Sequence, residues 1–378
     1  MMRIVVVGAG YAGLTCALRV ARKARGSAQV TLINGSERFV ERIRLHEQAA
    51  GIAQPVLELS ELLRGTGVQL QLGWVHDVDL AQRTLRVDEQ TVSWDQLVLA
   101  TGSVFADAQV EGAREHAFTL EPRSLPWLES ALPAIAKRGG RVVVVGGGLT
   151  GIEAASEIAE AHRGARVVLI TRGEVAPECS PAAREHVRKV LSKLSVELRE
   201  HTDVSRVEAD RLHTPAGELP FAACVWSVGF RASPLAREAG LPVNRLGQVE
   251  VDAELRVPSH RHVHIAGDLA YVAGMPMGCK SALPMGMALG DNLARIVHGE
   301  PARAFKYRHL GYCLSIGRHE AVIQLQGRYL RGGLATRVKE LVCRGTLWAL
   351  RGESKLARLA HTLRFRANPM LPTDRAHV

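Results

Sequence analysis

Residues 3–13, RIVVVGAGYAG, and residues 141–151, RVVVVGGGLTG, decide how this chain folds. In each, a β-branched run (Ile4 to Val7, Val142 to Val145) meets glycines at matching places. These are Gly8, Gly10 and Gly13 in the first and Gly146, Gly148 and Gly151 in the second, all offset by 138 residues. A helical stretch follows each (Leu14 to Ala24, Ile152 to Ala161), then a short apolar strand (Val30 to Ile33, Val167 to Ile170). A strand that turns straight into a helix needs one glycine for the tight turn, a second where the backbone approaches a pyrophosphate, and a third where helix and strand pack closely. The phosphates then sit on unpaired N–H groups at the positive end of the helix. One such motif is weak; two copies in the same strand–helix setting predict two dinucleotide-binding units.

The repeat extends outward from the glycines. Val68 to Leu72 opens a strand-rich stretch with turns around Asp79 and Asp88, and it ends in LVLATGS with Gly102. Val196 to Leu198 opens another, with turns around Asp210 and Pro215 to Gly217, ending in CVWSVGF with Gly229. The predicted class is therefore α/β, with two Rossmann-like dinucleotide-binding domains, inserted β-meanders and a small C-terminal sheet and helix region. Residues 1–110 and 251–310 are expected to form the first domain, 111–250 the second, and 311–378 a C-terminal interface sheet and basic amphipathic tail.

Composition narrows the class further. The 378 residues are 47% hydrophobic and 23% charged, which excludes disorder as the main description, and charges interrupt every apolar run long enough to cross a bilayer. Of the net charge of +10, residues 328–378 hold +8, with only Glu340, Glu353 and Asp374 acidic among them. A basic end on a near-neutral body points to a local anionic partner, and no nucleic acid is expected. The six cysteines contain no CxxC and no pair closer than 30 residues, so neither a zinc ribbon nor a local redox dithiol is encoded. The opening MMRIVVVGAGYAG is explained by its glycines, and an unprocessed protein of a reducing compartment is expected.

Four motifs in order, GAGYAG at 8–13, LATGS at 99–103, GGGLTGIE at 146–153 and HIAGD at 264–268, resemble the two-dinucleotide flavoprotein oxidoreductases of the pyridine nucleotide-disulfide type. The closest general likeness is to type II NADH dehydrogenases, and it covers residues 1 to about 325. The resemblance implies FAD at the first copy, held by Gly8, Ala9, Gly10, Tyr11, Ala12 and Gly13. Thr101 and Gly102 would lie near the adenosine side and Arg42 near the pyrophosphate, with Gly267 and Asp268 at the ribityl chain. Asn34 stands where an acidic residue normally takes the adenosine ribose, so that hold is expected to be weaker. The second copy, Gly146, Gly147, Gly148 and Gly151 with Gly229, would bind NADPH or NADH. Thr171 and Arg172 follow its second strand in place of a carboxylate, which leans towards NADPH or dual use, with Glu174 nearby. Glu153 matches a family glutamate near the nicotinamide. The flavin would carry the redox step and no side-chain nucleophile is needed.

Between family members, Glu41 to Ala50 contains no cysteine, against disulfide reduction, and the intact GGGLTG argues against sulfide:quinone reductases. YCLSIGRHEAVIQLQGRYL at 312–330 reads as a strand pair around Gly317 and Glu320. Leu334, Val338, Leu341 or Val342, Gly345 and Trp348, then Leu356, Leu359 and Leu363, recur at helical spacing with arginines opposite. Peripheral membrane contact through residues 334–366, on the cytoplasmic face of an otherwise cytoplasmic protein, is expected from this, alongside the alternative that the stripe packs on its own domain. The expected activity is hydride transfer from NAD(P)H to FAD and on to a small-molecule acceptor such as a quinone. SALPMGMALGDN lacks the glutamines that type II dehydrogenases carry beside the flavin, which leaves the acceptor open. The alternatives are a flavin redox sensor resembling apoptosis-inducing factor and a reductase of an electron-transfer protein. The oligomeric state is not encoded.

Overall fold

The computed structural model describes residues 1–105, 110–308, 311–325 and 328–351. Met2–Val7 (β1) runs into the first glycine loop, which opens Tyr11–Ala24 (α1), and Ala28–Asn34 (β2) returns parallel to β1. Leu45–Ala49 (α2), Val68–Leu72 (β3), an antiparallel meander from Val75 to Ser93, and Gln96–Leu99 (β4) follow. The second copy comprises Arg141–Val145 (β5), Leu149–Ala161 (α3), Arg166–Ile170 (β6), Glu197–Arg199 (β7), a meander from Arg206 to Pro220, and Ala223–Trp226 (β8). His260–Ile265 (β9) rejoins the first sheet and leads to Cys279–Val297 (α4). Tyr312–Ser315 (β10), Ala321–Leu325 (β11) and Arg328–Arg331 (β12) form a separate antiparallel sheet, and Gly333–Arg351 (α5) follows it.

The first sheet has the order Arg256–Val257, β9, β4, β1, β2, β3, and the second β7, β6, β5, β8, Phe118–Thr119. Every neighbour is parallel except Arg256–Val257. In both sheets the connection reverses direction beside the strand that carries the glycine loop, where open α/β sheets bind ligands outside the carboxyl ends of their strands. Ile4 to Val6 and Val142 to Val144 are fully buried, as strands covered on both faces must be. The structure confirms the mixed α/β class with parallel sheets.

Two local readings change. The helices start at Tyr11 and Leu149 rather than Leu14 and Ile152, so the third glycine of each loop lies within the first helical turn. Residues 312–331 form three strands rather than a pair: Tyr329 and Leu330 pair with Gln324 and Ile323. That outer strand carries Arg328 and Arg331, exposed charges of the kind that blunt a sheet edge.

A close helix crossing sets the floor of the first loop. A Cβ on Gly286 of α4 would stand 2.2 Å from the Ala12 carbonyl oxygen of α1, and one on Gly290 would stand 2.8 Å from Arg19 Cβ. The glycines of SALPMGMALGDN therefore bring two backbones together, a role their sequence context did not reveal.

Candidate functional site

The first glycine loop is shaped by exclusion. A Cβ on Gly8, whose φ is +100°, would stand 2.5 Å from the Ala100 carbonyl oxygen, and one on Gly13 would stand 1.9 Å from the Gly8 carbonyl oxygen. Gly10 is different: no protein atom lies within 4 Å of the place its Cβ would take. Gly10 also caps α1, and no side chain accepts from the N–H groups of its first turn. An open cradle beneath an uncapped helix start is what a pyrophosphate fits. Beside Gly8, Thr101 Oγ1 is buried without a hydrogen-bond partner among the described residues.

Asp268 stands across the loop from these groups. Its carboxylate accepts from Ser103 Oγ at 2.6 Å and from the Gly278 N–H at 2.6 Å, just before α4 begins. Arg42 donates to the Ser103 carbonyl oxygen at 2.6 Å and lies alongside Gly102, whose φ is +70°. Gly267, φ +70°, brings this turn against Ala12. Thus Arg42, Gly102, Ser103, Gly267 and Asp268 converge on the mouth of the Gly8–Gly13 loop. Asn34 turns inward instead: its amide oxygen accepts from the Ala9 N–H at 2.9 Å and its amide nitrogen donates to the Ser36 carbonyl oxygen at 2.7 Å.

The second loop repeats the first. Gly151 approaches the Gly146 carbonyl oxygen as Gly13 approaches that of Gly8, Gly146 has φ +128°, and Gly147 backs onto Thr171 Oγ1. Gly148, the counterpart of Gly10, has only a Glu178 carboxylate oxygen near its Cβ direction, at 4.0 Å. Gly229, φ +81°, is exposed beyond β8. Arg172 is exposed at the end of β6, while Glu174 is clamped by Arg184 and, at 3.1 Å, by Arg188. Hydrogen bonds from Arg188 and then Arg184 hold the Glu174 carboxyl below the usual carboxylate range.

Glu153 does not simply decorate the first turn of α3. Its Oε1 accepts from the Ser315 N–H at 3.1 Å, from Ser315 Oγ at 3.2 Å and from Lys339 Nζ, and its other oxygen lies 3.7 Å from His46 Nδ1. Burial acts to raise the Glu153 carboxyl, yet the Lys339 ammonium overrides it and keeps it ionised. The same pairing holds Lys339 above its ordinary value despite burial. His46 is depressed by burial and stays neutral. One helical turn along α3, Glu157 is buried with one carboxylate oxygen lacking any hydrogen-bond partner, and burial pushes its carboxyl up to about 7.

Sequence reasoning missed Lys339, Ser315, His46 and Ser103. For Lys339 a signal existed: Ala335, Lys339, Cys343, Thr346 and Leu350 recur at helical spacing along α5, and all are largely buried. The residues are small or polar, so an apolar stripe was read one face away, at Leu334, Val338 and Leu341, which the structure exposes. Leu356, Leu359 and Leu363 lie outside the described residues. Cys279 opens α4 beside Gly278 and Cys343 lies on the buried face of α5; burial pushes their thiols up to about 12 and about 11, so neither is a reactive thiolate at neutral pH.

Residues 2–286 match the sequence profile described as pyridine nucleotide-disulphide oxidoreductase. An NADH dehydrogenase-like protein of Mycobacterium tuberculosis is 31% identical over 350 residues, covering 85% of this chain and 87% of that one. A type II NADH:quinone oxidoreductase of Staphylococcus aureus is 27% identical over 382 residues, covering 90% and 94%. Among solved structures, the sulfide:quinone oxidoreductase of Aquifex aeolicus superposes with a TM-score of 0.84 at 17% identity, over 98% of this chain and 96% of that one. NDH2 of Plasmodium falciparum, solved in complex with NADH, superposes at 0.81 and 15%, over 98% and 100%.

Proposed function

We propose, on the premise that the chain belongs to the pyridine nucleotide-disulphide oxidoreductase family, that it oxidises a reduced nicotinamide dinucleotide and passes the electrons through FAD to a quinone or quinone-like acceptor. That it is an oxidoreductase follows from the family, whose members work with flavin and NAD(H). When bound, FAD accepts a hydride equivalent and returns its electrons to a second partner. The residues of the chain do the rest.

The Gly8–Gly13 loop would hold the pyrophosphate of FAD, with Arg42 supplying positive charge and Asp268, fixed by Ser103 and Gly278, facing the ribityl side. The Gly146–Gly151 loop would hold the nicotinamide dinucleotide in the same way. Exposed Arg172 and preoccupied Glu174 leave the end of β6 without a free carboxylate for an adenosine ribose, which supports acceptance of NADPH as well as NADH. Turnover with each, side by side, tests this; failure to use NADPH at all would remove it.

The acceptor assignment rests on the Glu153–Ser315–Lys339 cluster. Reducing a quinone to its hydroquinone takes two electrons and two protons, whereas a hydride brings two electrons and one proton. The second proton needs a source. Lys339 Nζ holds one in a buried place, Glu153 retains that ammonium until reduction makes the acceptor oxygen basic enough to take its proton, and the Ser315 hydroxyl links the two. A donor to an electron-transfer protein would not require it. The deciding experiment is to bleach the flavin with NAD(P)H in stopped flow and then add a panel of quinones, ferricyanide and small iron–sulfur proteins. Fast reoxidation by quinones supports the proposal; slow reoxidation by all of them indicates the sensor-like alternative and overturns it.

Among the described residues no helix is long and apolar enough to cross a membrane. Leu334, Leu341 and Val342 are exposed on α5, and the basic end of the chain follows. Both features support peripheral contact with an anionic membrane surface, where an apolar quinone would be found.

A further inference from the structure

We infer that Trp74 is the surface on which the adenine of FAD stacks, an assignment that rests on FAD occupying the first glycine loop. Trp74 is among the largest apolar side chains and yet 68% exposed. Its ring is not loose. A Cβ on Gly35 would meet three indole atoms, Cε2, Cζ2 and Cδ2, at 2.6, 2.8 and 2.9 Å, so one face of the indole lies flat on the Gly35 backbone. Any other residue at position 35 would push the ring away.

The backbone beneath the ring is equally fixed. The Trp74 N–H donates to Asp88 Oδ1 at 3.2 Å and its carbonyl oxygen accepts from the Asp88 N–H at 2.9 Å. Gly73, at φ +150°, leaves room for the Asp88 carboxylate, which a Cβ would meet at 2.5 Å. A large aromatic group held in one pose with its other side open costs little entropy when a ligand ring arrives.

Its location names the ring. Trp74 follows the carboxyl end of β3, beside the end of β2, and the Gly73 N–H donates to the Asn34 carbonyl oxygen at 3.0 Å. Asn34 in turn holds the Ala9 N–H, so contacts run without a break from the glycine loop to the indole. A dinucleotide whose pyrophosphate lies on that loop extends its adenosine half across the carboxyl ends of β1 and β2. The side-chain amide of Asn34 is spent within the protein, and the stacking surface supplies a hold that a ribose-binding carboxylate gives elsewhere. The second copy has a smaller ring at the corresponding place: after β7 it continues Glu200-His201, an exposed imidazole instead of an indole.

The test uses full-length flavin-loaded protein and follows release of FAD on dilution by its fluorescence. Base–aromatic stacking is worth about 1–3 kcal/mol per base by alanine substitution, which corresponds to roughly 5- to 150-fold. Trp74→Ala is expected to release FAD faster by that factor, with an unchanged melting temperature of the protein once freed of flavin, and Trp74→Phe is expected to restore most of the retention. Release from Trp74→Ala at the wild-type rate overturns the assignment, as does a Trp74→Phe variant that releases as fast as the alanine form. If wild-type protein neither carries nor takes up FAD, the cofactor reading beneath it fails first.

Discussion

Lys339 and Glu153 sustain each other's charge in a place where either alone would be driven neutral. Replacing Lys339 by methionine keeps much of the side-chain volume and removes the proton held at Nζ. Reduction of a quinone should then slow by roughly 10²-fold, in the range of a lost general acid, while bleaching of the flavin by NADH keeps its rate. Equal slowing of both half-reactions would mean that the lysine serves the fold. Glu157 behaves in the opposite way to Glu153. Burial, reinforced by Glu47, raises its carboxyl from 4.5 to about 7. A raised acid favours the folded state fully below the unfolded value, and that contribution is lost as the pH climbs through the folded one. Thermal stability should therefore fall between pH 5 and pH 8 partly through this residue. Glu157→Gln, which cannot ionise, is expected to flatten the fall; a melting curve with the same pH slope as wild type would refute the assignment.

At the scale of elements, the strands and glycine loops were legible because periodicity and backbone sterics act locally. The four-residue β-branched runs and the two loops stand where the pattern puts them, and the helices after them follow directly but begin three residues early. What escaped was set by contacts between distant segments. Gly286 and Gly290 look like helix-weakening residues in α4 until Ala12 and Arg19 are seen against them. The buried face of α5 contains Ala335, Lys339, Cys343 and Thr346, too polar a set to announce itself as a core face. The meeting of Glu153 with Ser315 and Lys339 spans 186 positions and has no local signature. The glycines give a paired prediction. Gly10→Ala meets no protein atom within 4 Å, so the protein should melt as wild type once freed of flavin, yet carry less of it, since the methyl group enters the pyrophosphate cradle. Gly286→Ala collides with the Ala12 carbonyl and should destabilise the fold by about 1–3 kcal/mol, measured by denaturant unfolding. If both variants behave alike, the distinction between ligand space and packing space is wrong.

For the molecule as a whole, charge and chemistry are partitioned along the chain. Residues 328–378 hold +8 of the +10, and the exposed apolar residues Leu334, Leu341 and Val342 lie within that same stretch. Flotation with vesicles containing phosphatidylglycerol should recover the protein in the lipid fraction at low salt and lose it as salt rises, and Leu334→Glu with Leu341→Glu should abolish recovery. Binding unaffected by the double change would exclude α5 from the contact. The helix is joined to the small sheet through Gly332, at φ +77° with open space about it, and Gly333 is exposed. A protease that cuts there and frees α5 would leave both glycine loops, Asp268 and Trp74 in place, and would take away the ammonium that Glu153 retains together with the Glu340 partner of Arg44 and the buried face of the helix. Such a nicked molecule would not be inert. It would go on consuming NADH with no proton donor for its proper acceptor, and oxygen would collect the electrons. Hydrogen peroxide formed per NADH oxidised, compared between the intact chain and one ending at Arg331, measures that leak, so wear at a single exposed joint would convert a guarded catalyst into a source of oxidative damage.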